Sequence, residues 1–132
     1  MRDHSHYDYA VVRVVPRVER EEFVNVGVIV SCPDKNFLDA RIFIDEHRLR
    51  ALDPTLDIAA IRAHTDSIRA ICAGGEKAGP LGRLSQRERF HWMVAPRSTI
   101  IQTSPAHAGK CEDPEKLIEH LLQKMVLPQA VR

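Results

Sequence analysis

The sequence predicts an α+β domain: a small, mostly antiparallel sheet of about four strands with helices packed on one face. Three observations carry this. Three β-branched segments with two-residue alternation precede the first helix. Two Asp-Pro pairs and one Ser-x-x-Glu box then mark helix starts. Only one further short β-like segment interrupts the helical half. No repeat, low-complexity tract or linker divides the 132 residues. The chain therefore reads as a single domain over 1–132, with its core at about 7–127 and mobile ends.

Tyr7 to Val15 is the first strand, with Tyr7, Tyr9, Val11, Arg13 and Val15 on one face and Asp8, Ala10, Val12 and Val14 on the other. Pro16 ends it. After a charged connector, Arg17 to Glu22, a second strand runs from Asn25 to Ser31. Strict alternation puts Val26, Val28 and Val30 on one face and Gly27 and Ile29 on the other. Apolar residues on both faces suit a central strand covered on both sides. The turn formers Cys32-Pro33-Asp34-Lys35-Asn36 lead into a third strand, Phe37 to Ile44, completing a hairpin.

Asp45 opens a helical stretch, and Asp53-Pro54 reads as the start of the main helix. Ile58, Ile61, Thr65, Ile68 and Cys72 follow helical spacing, and Gly74-Gly75 stops it. Glu76 to Gly82 reads as a surface loop. Ser85-Gln86-Arg87-Glu88 is a capping box for a short helix to about Val94, buried through Phe90, Met93 and Val94. A fourth strand is expected over Ser98 to Thr103 and a polar loop over Ser104 to Glu112. The last helix follows Asp113-Pro114, from Glu115 to Leu127, with Ile118, Leu121, Leu122 and Met125 on one stripe.

Composition narrows the function classes. Hydrophobic residues make up 44% and charged ones 28%, as in a folded globular chain. The net charge is +1, so no global electrostatic pull toward nucleic acid or an acidic membrane exists. The longest apolar run, Val26 to Val30, is too short to cross a bilayer. Met1 to His6 lacks the apolar stretch of a signal peptide. Cys32, Cys72 and Cys111 are odd in number and widely spaced, which fits a reducing cytoplasm rather than a disulfide framework.

No metal or cofactor is expected, since neither His4 with His6 nor His107 with Cys111 completes a ligand set. A nucleophile would need Cys111, His107 and Asp113 to converge, and proximity in sequence does not provide that. There is no GxGxxG, P-loop or GxSxG.

Two stretches attract attention. In Glu22-Phe23-Val24-Asn25-Val26-Gly27, a polar Asn enters an apolar strand and a Gly sits inside it. That pattern fits a ligand contact, or strand entry with a bulge. The second stretch is basic: Arg83, Arg87, Arg89, His91 and Arg97. It could hold a partner's carboxylates, or form a solvated helix face beside Glu88. Candidate binding residues are thus Glu22, Asn25, Gly27, Arg87, Arg89, Arg97 and Gln102.

The segments Tyr7 to Pro16, Glu22, Asn25-Val26-Gly27-Val28-Ile29, Pro96, Ile101 to Pro105 and Asp113-Pro114 resemble a bacterial domain-of-unknown-function family, number 3037. The resemblance extends from about Tyr7 to Val126. It implies a stand-alone bacterial protein and, through frequent neighbourhood with a HipA-like serine/threonine kinase, a protein partner of that type. It assigns no role to Glu22, Asn25 or Gly27.

The leading expectation is a non-catalytic interaction or regulatory module for a partner protein. The alternative is an enzyme or small-ligand domain with a polar pocket near Glu22, Asn25, Arg89, Arg97 and Gln102. Nucleic-acid binding is disfavoured, and an exposed strand edge would allow a homodimer.

Overall fold

A computed structural model describes residues 4–129; the chain ends expected to be mobile, 1–3 and 130–132, lie outside the described residues. The elements are β1 (Ser5–Val14), β2 (Val24–Cys32), β3 (Phe37–Ile42), α1 (Glu46–Leu52), α2 (Ile58–Ala73), α3 (Gln86–Val94), β4 (Ile101–Thr103), β5 (His107–Cys111) and α4 (Pro114–Met125). All pairings are antiparallel, in the order β3-β2-β1, with β4 and β5 sharing the far edge of β1. The α+β class and the antiparallel sheet agree with the sequence pattern.

The helices, however, cover both faces, not one. Val12, Val14 and Ile29 pack with Leu49 of α1, Ile61 and Ile68 of α2, and Phe90 and Met93 of α3. The alternating positions Val11, Val28 and Val30 pack with Ile118, Leu121 and Val126 at the α4 side. A strand that is apolar on both sides leaves half its side chains in water unless a second layer is present, and α4 is that layer.

A bulge corrects the expected facing of β2. Val12 pairs with Gly27 but Arg13 pairs with Asn25, so Val26 is the extra residue. Alternation inverts there. Val26 joins Val12 and Ile29 under α2, while Val28 and Val30 face α4. Gly27 has a packing reason as well: a Cβ would stand 2.8 Å from the Arg41 carbonyl and 2.5 Å from Ile42 Cδ1 on β3.

The loop expected over Ser104 to Glu112 contains β5, and the fourth strand shortens to Ile101–Thr103. Ser104 joins the two pieces. Its N–H donates to the Val11 carbonyl at 2.8 Å, and its Oγ accepts the Val11 N–H at 2.9 Å. The edge of β1 thereby keeps its hydrogen bonds at Val11 between the two short strands.

The main helix also starts later than Asp53-Pro54 suggests. The Asp53 carboxylate accepts from the N–H and Oγ1 of Thr55, at 2.9 and 2.6 Å, and so caps a turn. Those bonds hold its pKa below the ordinary carboxylate value. Asp57 is the cap of α2, accepting from the Ala60 N–H. Segment Glu76–Arg83 is a 3-10 helix kinked at Gly79 rather than open loop. The Ser85–Glu88 capping box is present with both of its bonds.

Candidate functional site: the groove between α2, α3 and β4

A half-open groove of about 510 Å³ lies between α2, α3 and β4, within the size range of ligand and anchor pockets. The amphipathic face of α2 supplies one wall: His64, Ser67, Ile68 and Ile71 recur at three- and four-residue steps. Met93 and Ile101 face them from α3 and β4. Ile68, Ile71, Met93 and Ile101 are each under a tenth exposed, so the floor is apolar and continuous with the core.

The mouth is different. Trp92, the chain's single tryptophan, is 44% exposed there. The Arg97 guanidinium lies 4.2 Å over its ring. It also donates to the carbonyls of Met93 and Trp92, at 3.1 and 2.7 Å. Arg97 therefore caps the C-terminal end of α3, where cations are favoured, and is rigidly placed. Two of its five N–H donors are used, which leaves three for an incoming acceptor. Next to it, Gln102 Nε2 donates to the Thr99 carbonyl and Thr99 Oγ1 to the Ile101 carbonyl, fixing the chain into β4.

His64, Lys77 and Arg97 give the groove its electrostatics. No acidic residue lines it, and none of these three meets a carboxylate among the described residues.

Of the residues nominated from sequence, Arg97 and Gln102 share this groove; the rest lie apart. Glu22 pairs with Arg20 beside a wider, open hollow of about 790 Å³ whose lining mixes both signs of charge. Asn25 donates through Nδ2 to the Met125 carbonyl at 3.0 Å and so caps α4. Its Oδ1, and Nε of its cross-strand neighbour Arg13, are buried without partners. Gly27 lies beside Ile42 of β3 within the sheet.

The arginines diverge as well. Arg87 bridges to Asp8 at 2.7 Å and to Ser31 Oγ at 3.3 Å, tying α3 to the sheet. Arg89 is buried, 6% exposed, and donates to the Ile71 carbonyl at the end of α2. Its guanidinium occupies the space a side chain at Gly74 would need. Trp92, His64 and Lys77 were not nominated. Trp92 lies off the buried Phe90–Met93 face of its helix, and that is the signal that points to it.

The Cys111, His107 and Asp113 set is not assembled. Cys111 and His107 are four residues apart on an extended strand, roughly 13 Å along it. The Asp113 carboxylate caps α4. Burial, with Cys32 as hydrogen-bond partner, pushes the Cys111 thiol up, away from a reactive thiolate. Among the described residues no three His, Cys, Asp or Glu side chains cluster to hold a metal.

Fold and groove together define a small α+β protein: an antiparallel sheet between two helical layers, carrying an apolar, cation-rimmed groove. The chain belongs to the family described as "Protein of unknown function (DUF3037)", which it matches over residues 9–126. No curated protein and no solved structure is similar enough to the chain to count as a match. No helix among the described residues is long and apolar enough to cross a membrane.

Proposed function

We propose that this chain is a non-catalytic interaction module that docks on a partner protein through the α2–α3 groove. The observation that carries the reading is the exposed Trp92–Arg97 pair at the mouth of an apolar groove. Tryptophan and arginine are enriched among the few residues that carry most of the binding energy in protein interfaces. A HipA-like kinase, implied by the resemblance, is the partner to test first, in a bacterial cytoplasm whose reducing state suits three free thiols.

The test is capture of the tagged protein from its host, without crosslinking, in parallel with Trp92→Ala. The reading expects a stoichiometric protein partner whose recovery drops at least about tenfold in the variant, as truncating a hot spot of about 2 kcal/mol or more would produce. A partner recovered equally by both proteins, or none with either, would overturn it.

A second reading is a small-ligand domain, favoured by the ligand-sized volume shared by Arg97 and Gln102. Under it, Trp92→Ala leaves protein partners unchanged and abolishes binding of a metabolite.

A further inference from the structure

We infer that the groove takes a partner segment in which an apolar side chain is flanked by a carboxylate. This rests on the docking reading and names the chemistry of what docks. The floor of Ile68, Ile71, Met93 and Ile101 offers contact for an aliphatic or aromatic anchor. Three basic side chains, His64, Lys77 and Arg97, stand around it with no carboxylate among the lining residues. The nearest charges a ligand meets are thus all of one sign or neutral, and complementarity selects an anion over a neutral or cationic anchor.

Arg97 is the fixed element of that rim. Stacked on Trp92 and bonded to two carbonyls, it has its side-chain freedom already removed, so an ion pair with it costs little further ordering. Lys77 and His64 are exposed and adjust to the second contact.

A protein segment is favoured over a free acid by what lies at the mouth of the groove. Apolar surface continues at the mouth at Trp92, which is 44% exposed. A small acid filling the groove would leave that surface wet, whereas a peptide crossing the mouth covers it.

The test uses the purified full chain and reads the fluorescence of Trp92, the only tryptophan. The probes are three end-blocked hexapeptides with a leucine-phenylalanine centre, flanked by glutamates, glutamines or lysines, together with decanoate. The glutamate peptide is expected to bind about fivefold more tightly than the glutamine peptide at low salt, and the lysine peptide most weakly. Lys77→Gln, at an exposed side chain with no ion-pair partner among the described residues, should shrink the glutamate preference without changing the fold.

Equal binding of glutamate and glutamine peptides would overturn the charge selection yet leave the groove as a docking site. Decanoate binding without any peptide would reassign the groove to a free amphipathic acid. Absence of all binding would overturn the inference outright. None of these readouts depends on the captured partner, so failure here is distinct from failure of the docking reading.

Discussion

The two faces of the sheet are held by different means. Under α1, α2 and α3, sixteen buried residues form one apolar cluster reaching from Val14 to Ile71. On the other face α4 contributes a narrower stripe, and the buried cluster has six members. There, polar ties supplement packing. Asn25 and Arg48 cap the carbonyls of Met125 and Val126, at 3.0 and 3.2 Å. Arg41 on β3 reaches Glu115 and Glu119, at 2.8 and 2.9 Å. The large face holds the larger share of the buried apolar side chains; on the small face polar ties fix a single helix. The groove opens on the large face, where α2, α3 and β4 leave part of their apolar surface uncovered.

The comparison is sharpest in the cores. Phe90→Ala, at a position 1% exposed on the large face, should cost about 3–5 kcal/mol, from lost burial plus the cavity left behind. Ile118→Ala on the small face should cost nearer about 2–3 kcal/mol. Its neighbours Leu117, Leu122 and Met125 are only partly buried and can close in. Urea unfolding midpoints at constant slope measure both. If Ile118→Ala costs as much as Phe90→Ala, the two faces are equally committed and the contrast fails.

Gly27, opposite Val12 on the large face, sets how closely β2 meets β3. An alanine there needs the Ile42 tip to rotate, which is easy, and the Arg41 carbonyl to retreat, which is not. The expected loss is about 1–3 kcal/mol, as for other overpacked sites. Asn25→Ala removes one cap from α4 and should cost about 1–2 kcal/mol. Amide exchange should quicken in the last turn of α4 and remain unchanged in α2. Equal acceleration in both helices would show that the polar tie supports the whole molecule rather than one face.

Local pattern revealed what local physics decides. The alternation of β1, the β2–β3 hairpin, the buried stripe of α2 and the capping box all appear in the sequence because each is set by near neighbours. β5 does not. His107-Ala108-Gly109-Lys110-Cys111 has no apolar alternation and is a strand because β1 offers it an edge. The inverted facing of Val26 depends on a bulge that composition alone suggested but could not place. In the groove, Arg97 and Gln102 were legible as polar groups near strand and helix ends. Arg87 and Arg89 lie apart from the groove, tied to partners, Asp8 and the Ile71 carbonyl, that are far away in sequence. Lys77 and His64 come to the rim only once α2 and the 3-10 segment fold against each other.

The smallest expected effect concerns a thiol on the large face. Burial pushes the Cys72 thiol up to about 12 from an ordinary 9.0. Between those values the unfolded chain releases the proton while the folded chain retains it. The contribution is therefore complete below about pH 9 and is lost as pH rises toward 12. The loss is at most about 1.4 kcal/mol per pH unit. Cys72→Ala removes that part of the slope, leaving the share of tyrosines and lysines. Stability measured at pH 8, 9 and 10 for both proteins isolates the difference: the wild type should lose up to about 1.4 kcal/mol more than the variant between pH 8 and pH 10. Parallel curves would mean that water reaches Cys72. The large face would then be less tightly sealed at the end of α2, beside Arg89, than its buried residues indicate.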